Sequence, residues 1–498
     1  MLKPELNVSK HFHKSLTKVA LASIVITVTN NIPALALTLN FSYGDGTTIE
    51  QMSAFEAAGD VWSTYFTDDI TLNIHVDMTD LLPDNVLGGA IPGFINDEDY
   101  RRYAVALEAD ATSQDDVSAY SYIDKNKAQN IKIGDLLIED VKAIDITRAN
   151  AKAVGLREAH NPTMDAYILM NDLSGNPLLH WNYDFANPIQ GLDYLKLDFY
   201  SVALHEIGHA LGFVSGLDNK ETFFQEVSSA INQTEKLDID DINVLGIEQA
   251  LDEVLDEETA IFNQLVTDYN ANNYDINPAT SLDLFRQSAA TQGTKNLIDL
   301  TVGADAFFAI DDNSQLAYFS TGEDTAAGGD GYQGSHWKHQ GYFNDPLGIM
   351  APSIGLGQRR AITELDLIAL DVIGFDRAAN SNIDISQIAT DVASRVGDHL
   401  IADKTNEVLD MIAESEVYQW GFGGGDGDGC DPSTQNCGSS QVLAEILTDE
   451  GLFSQAYWST LDIKSEPIEV PETSPITSLL ALSLLSFGGL VKGKSSNN

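Results

Sequence analysis

The stretch His205-Glu206-Ile207-Gly208-His209-Ala210-Leu211-Gly212 constrains the fold of this chain more than any other. On an α-helix, residues four apart sit about 40° apart around the axis and about 6 Å apart along it. Two imidazoles so placed reach one divalent metal ion at ~2.0–2.1 Å. Glu206, one residue on from His205, projects beside that ion and is placed to take a proton from a water on it. Val202, Leu204, Ile207, Leu211 and Phe213 make the flanks apolar, so the helix is predicted to be buried. That weighs against a surface helix carrying two solvated histidines. Buried imidazoles need partners, and a metal is one way to supply them.

A catalytic zinc needs three protein ligands and an open position. There are two routes to the third. In one, the helix continues and a second helix supplies a glutamate, with Glu221, Glu226 and Glu235 available. In the other, the helix stops at Gly212 and the chain turns back to the metal. Gly212 favours the second route, because glycine takes the left-handed conformation that ends a helix. Three histidines follow the motif: His336, His339 and His399. His336 lies in Gly334-Ser335-His336-Trp337-Lys338, with Met350 downstream in Gly348-Ile349-Met350-Ala351-Pro352. His339 is the nearest competitor.

The H-E-x-x-H-x-x-G element, the later S-H-W-K and the I-M-A-P turn together resemble the metzincin zinc metallopeptidases. The resemblance is strongest to the leishmanolysin-like branch, whose third histidine is displaced by an inserted segment. It extends to exported bacterial metalloproteases with a C-terminal sorting tail. It covers roughly residues 199–376. The compact form of the motif would put histidine at position 215, where this chain has Ser215. The resemblance implies His205, His209 and His336 as Zn²⁺ ligands, Glu206 as general base, and Met350 as the Met-turn residue forming an apolar floor. The implied fold is α+β: a twisted mixed sheet with an active-site helix, the Met-turn and a C-terminal helix.

The chain has 498 residues and a formal net charge of −48, from 75 acidic against 27 basic residues. Nucleic acid is therefore not expected as a partner, since phosphate binding relies on clustered Lys and Arg. An acidic surface suits solubility and attracts cations such as Ca²⁺. The hydrophobic share of 43% sets it apart from disordered acidic chains. Cys430 and Cys437 are the only cysteines, and in an exported protein they most simply form one local disulfide. None precedes the active-site helix, so a propeptide thiolate cannot block the metal.

Both ends read as addresses. Lys3, Lys10, Lys14 and Lys18 precede an apolar run from Val19 to Val28, and Ala34-Leu35-Ala36 follows. Residues 1–36 are thus expected to be a signal peptide. At the other end, Val470-Pro471-Glu472-Thr473-Ser474-Pro475 leads into an apolar run and then Lys492 and Lys494. Residues 469–498 resemble the bacterial PEP-CTERM sorting signal. That implies transient membrane association and handling by export and sorting machinery. A plain membrane anchor is the alternative.

Between the ends, residues 37–376 are expected to form the catalytic domain, with an insertion over about 216–330. Helical spacing marks Glu50–Phe66, Tyr100–Ala111 and Ile146–Val154. Thr71–Thr79 alternates as a strand, with His75 expected on its exposed face. Ala166–Met170 reads as a strong short strand, and the metzincin resemblance makes it the candidate for receiving substrate backbone by β-addition. Asp238–Asn263 predicts a helical subdomain, and residues 377–468 an acidic, mostly helical region. Gly423–Gly429 alternates Gly with Asp426 and Asp428, and is read as a flexible linker with Ca²⁺ binding as the alternative. The function these features point to is an exported zinc endopeptidase acting on a protein or peptide substrate. The rival is a surface interaction protein with an inactive peptidase core. Retention of a proton acceptor at Glu206 favours the enzyme.

Overall fold

The computed structural model describes residues 37–218 and 279–414, apart from a few short gaps, together with 459–462. Several expectations lie outside the described residues: the signal peptide, Glu221, Glu226, Glu235, the helix over Asp238–Asn263, the glycine-aspartate run, Cys430, Cys437 and the sorting tail.

The first half of the chain runs β1 (Thr38–Tyr43), α1 (Ile49–Tyr65), β2 (Thr71–Thr79), β3 (Val86–Pro92), β4 (Phe94–Asp99), α2 (Tyr100–Asp110) and α3 (Gln114–Tyr122). It continues through β5 (Gln129–Ile133), β6 (Leu136–Val141), β7 (Ala143–Thr147), α4 (Arg148–Ala153), β8 (Ala166–Asn171) and α5 (Phe199–Leu211). Later come α6 (Glu364–Asp371), α7 (Ile385–Arg395) and α8 (Thr405–Glu414). The class is mixed α+β.

The central sheet has the order β1-β2-β8-β3, with the strand Ser459–Asp462 on the far side of β3. β1, β2 and β8 run parallel, whereas β3 is antiparallel to β8 and Ser459–Asp462 is antiparallel to β3. Every residue of β8 is buried, as befits a strand covered on both faces. α1 begins in a capping box, in which the Thr48 side chain accepts from Gln51 N while the Gln51 side chain accepts from Thr48 N. Its apolar positions Met52, Phe55 and Trp62 are buried. Trp62 Nε1 donates to the Leu204 carbonyl at 2.9 Å and so locks α1 against α5.

Two readings of strands need correction. Ala166–Met170 is interior, hydrogen-bonded on one side to β2 and on the other to β3. Its backbone groups are already paired, so it cannot accept a substrate strand. The strand beside α5 is β3, where a Cβ added to Gly88 would lie 2.8 Å from Glu206 Oε1. His75 is 2% exposed rather than solvent-facing. Its Nδ1 lies 2.9 Å from Ser42 Oγ, its Nε2 lies 3.3 Å from Asp77, and its ring stacks on Tyr167. Alternation placed His75 opposite Ile74 correctly, but that second face of the sheet is covered as well. In addition, Ile146 and Thr147 end β7, so the helix there starts only at Arg148.

The described part of the insertion, 279–330, contains a short 3₁₀ turn (Leu282–Phe285) and two- to three-residue strands. One of these, Leu297–Asp299, pairs in parallel with β5 and joins this part to the first half of the chain. After the domain's last helix, α7 returns to α1. Arg395 pairs with Glu56 and Asp60, and His399 lies 2.9 Å from Glu56.

Candidate metal centre

α5 is capped by Asp198, whose side chain accepts from Ser201 N, and it ends at Gly212 with φ of 120°. That left-handed residue turns the chain back, and Phe213 N bonds the Gly208 carbonyl. A side chain at 212 would also meet Asn150 at 2.6 Å, so both backbone and space require glycine there. The turn brings the Phe213 carbonyl to 2.6 Å from His209 Nδ1.

His205, His209 and His336 come together, all fully enclosed, with a ligand atom from each within 4.8 Å of the others. The Nε2 atoms of His205 and His209 are 3.0 Å apart, and those of His205 and His336 are 3.2 Å apart. Each Nδ1 faces a backbone carbonyl: Ile349 O at 2.8 Å for His205, Phe213 O at 2.6 Å for His209, and Gln333 O at 3.3 Å for His336. A carbonyl only accepts, so each Nδ1 carries the proton and each Nε2 presents a lone pair. Three lone pairs at this separation repel unless a cation sits among them. Tetrahedral ligands ~2.05 Å from a zinc-sized ion would be about 3.3 Å apart, close to what is found. The donor set therefore fits a divalent metal, and imidazole suits zinc, copper, iron or nickel. Burial pushes the His205 pKa down to about 4, with Arg360 nearby adding to the fall. Burial, then the neighbouring imidazoles, also push His209 and His336 well below the ordinary histidine value. The rings are neutral and metal-ready at pH 7.

Glu206 is fully buried, and neither carboxylate oxygen has a hydrogen-bond partner among the described residues. Burial raises its pKa well above the ordinary carboxyl value. Met350 lies on the opposite side of the helix, fully buried. A Cβ on Gly208 would sit 2.3 Å from its sulfur. Gly208 is thus the gap in α5 that admits the methionine beneath the two histidines. His339 stays out of the cluster, with Nδ1 3.2 Å from Ser353 Oγ and its ring against Tyr332. His160 and His180 are solvent-exposed.

Three buried aspartates hold the loops around the three histidines and the methionine, and sequence reasoning missed all three roles. Asp218 accepts from Gly334 N, Ser335 N and Ser335 Oγ, fixing the backbone just before His336. Asp283 accepts from Ser215 Oγ and Gly216 N at 2.6 and 2.7 Å. Ser215, which replaces a histidine in the compact motif, thereby becomes a strut instead of a ligand. Arg286, enclosed with these acids, donates to the Gly334 and Ser320 carbonyls. Asp366 accepts from Trp337 Nε1 at 2.8 Å, Ile349 N at 2.9 Å and Met350 N at 3.3 Å. The only sequence signal for it was its place as the third residue of α6, where it closes the capping box that Thr363 opens.

No family model matches this chain, and neither a curated protein nor a solved structure matches it.

Proposed function

We propose that this protein is an exported zinc-dependent endopeptidase of metzincin type. The observation that carries the reading is the convergence of three imidazole lone pairs beside an unpartnered, buried carboxylate. His205, His209 and His336 would hold the ion. Zinc, when bound, supplies a Lewis acid that acidifies a water and polarises a peptide carbonyl. The carbonyls of Ile349, Phe213 and Gln333 keep each Nδ1 protonated and so aim Nε2 at the site. Glu206 takes a proton from the attacking water on its carboxylate and returns it to the leaving amine. Its raised pKa suits a group that must hold that proton between the two transfers. Met350, packed through Gly208, keeps the floor apolar.

In this reading the substrate is a protein or peptide. Residues 1–36 direct export, and the tail from 469 engages sorting machinery and, transiently, the membrane. Metal analysis of the purified full chain together with casein hydrolysis, with and without chelator, tests the proposal. One zinc per chain and chelator-sensitive cleavage are expected. Glu206→Ala should keep the metal and lose cleavage by about a thousandfold or more. His336→Ala should lose most of the metal. Cleavage that persists in Glu206→Ala rejects the mechanism, and zinc retained in His336→Ala but lost on changing Glu226 points to the glutamate route.

A further inference from the structure

Arg360 sits in the segment after the methionine turn and is bonded both to α5 and to that turn's far side. Its backbone N donates to Ser201 Oγ at 2.8 Å, one helical turn before His205 on α5. Its Nη2 donates to the carbonyl of Ser353, three residues past Met350. Ser201 and Ser353 are each 1% exposed. Nε and Nη1 are enclosed and have no hydrogen-bond partner among the described residues. Nor does any carboxylate among them form an ion pair with this guanidinium. Burial lowers its pKa to about 10.

Two other arginines around the site differ. Arg359, next in the chain, meets Asp198 and the carbonyls of Asp184, Phe185 and Asn187. Arg286 is surrounded by Asp283, Asp218, Asp299 and Asp330. A buried cation without a counter-ion is costly, and proteins ordinarily pair it. Among the described residues this guanidinium has no acidic partner, and with its backbone on Ser201, one turn before His205, it offers a position for an anion from outside. The residue as a whole is half-buried, although Nε and Nη1 themselves are enclosed.

We infer that Arg360 is a specificity residue that receives a carboxylate of the bound peptide next to the metal centre. The assignment rests on the peptidase reading for what the anion belongs to. The carboxylate comes from an internal Asp or Glu side chain or from the free C-terminus, and the same guanidinium chemistry serves both.

The test reads binding before turnover. Zinc-loaded full-length protein carrying Glu206→Ala is titrated with fluorescein-labelled octapeptides, followed by anisotropy. The peptides carry Glu or Gln at the centre, each with a free or an amidated C-terminus. A carboxylate at one of the two positions should tighten binding about tenfold, the scale of a charge-assisted hydrogen bond. That gain opposes the general repulsion of acidic peptides by a chain of net charge −48, so it cannot come from long-range attraction. Arg360→Gln should bring the ratio to about one, and Arg360→Lys should keep part of it. A Glu-dependent gain identifies the side chain as the source, and one lost only on amidation identifies the terminus. Equal binding of all four peptides, or a ratio unchanged in Arg360→Gln, overturns the inference. If Arg360→Gln fails to fold, the ratio measured without it decides alone. Cleavage by the Glu206-intact protein is scored separately. Discrimination without cleavage rejects the peptidase reading and keeps the carboxylate site, whereas cleavage without discrimination does the reverse.

Discussion

Gly208 shows how much of the centre depends on one missing side chain. A glycine in mid-helix ordinarily costs about 1 kcal/mol relative to alanine. Here it opens the space that Met350 fills, since a Cβ would come within 2.3 Å of the sulfur and 3.2 Å of the methyl. Gly208→Ala should therefore lower stability, because overpacking of about 1–3 kcal/mol outweighs the helix gain. Denaturant unfolding of the single variant and of Gly208→Ala with Met350→Ala measures this. The double variant should be less destabilised than the two singles added, because the two side chains occupy one space. Strict additivity would show that they do not meet. At this scale the sequence was legible where spacing alone sets geometry, as for His205, Glu206 and His209. It misled at His75, where alternation says which face a residue takes but not what covers that face.

Among the elements, the loops matter more than the helices. α5 presents His205 and His209 by its own periodicity, but His336 depends on a loop whose shape comes from Asp218 and Asp366. Asp366 joins three parts: the Trp337 side chain, the backbone at Ile349 and Met350, and the start of α6 through Thr363. Gly348 must lack a side chain because a Cβ there would lie 2.3 Å from both Asp366 oxygens. Asp366→Ala leaves several buried donors unpaired and should cost about 3 kcal/mol or more in unfolding free energy. It should also weaken zinc binding, read by competition with a chromophoric chelator. Unchanged zinc affinity in a folded Asp366→Ala protein would show that the loop shapes itself without that carboxylate.

Across the whole molecule, acidity is the dominant physical fact, and part of it is built into the packing. Asp371 bonds Ser113 Oγ, Asp116 bonds the backbone of Thr112 and Ser113, Asp376 bonds Thr112 Oγ1, and Asp376 N bonds Asp68. Burial, with these acids repelling one another, lifts Asp68 and Asp371 to about 7 and Asp110 to about 8. An unfolded aspartate releases its proton near pH 4. Between about pH 4 and pH 8 the folded chain thus holds more protons than the unfolded one, and stability falls as pH rises through that window. With zinc saturating, so that the histidines stay liganded, Tm should drop by about 5 °C or more from pH 6 to pH 8. Asp371→Asn should flatten the profile. A Tm that rises over that range in the native chain would contradict the shifts.

Local periodicity and residue chemistry were enough to set His205 and His209 on one helix face with Glu206 beside them, and for the stop at Gly212, α1 and β2, because each depends on neighbours within a few positions. The partnership of His336 with the pair came from resemblance, and its placement depends on contacts across more than a hundred residues of sequence. Whether β8 is interior, whether Ser215 braces or ligates, and what surrounds Arg360 are likewise matters of which segments pack together. No short-range pattern encodes them, since the burial, pairing and charge environment of a group arise only once distant parts of the chain share one core.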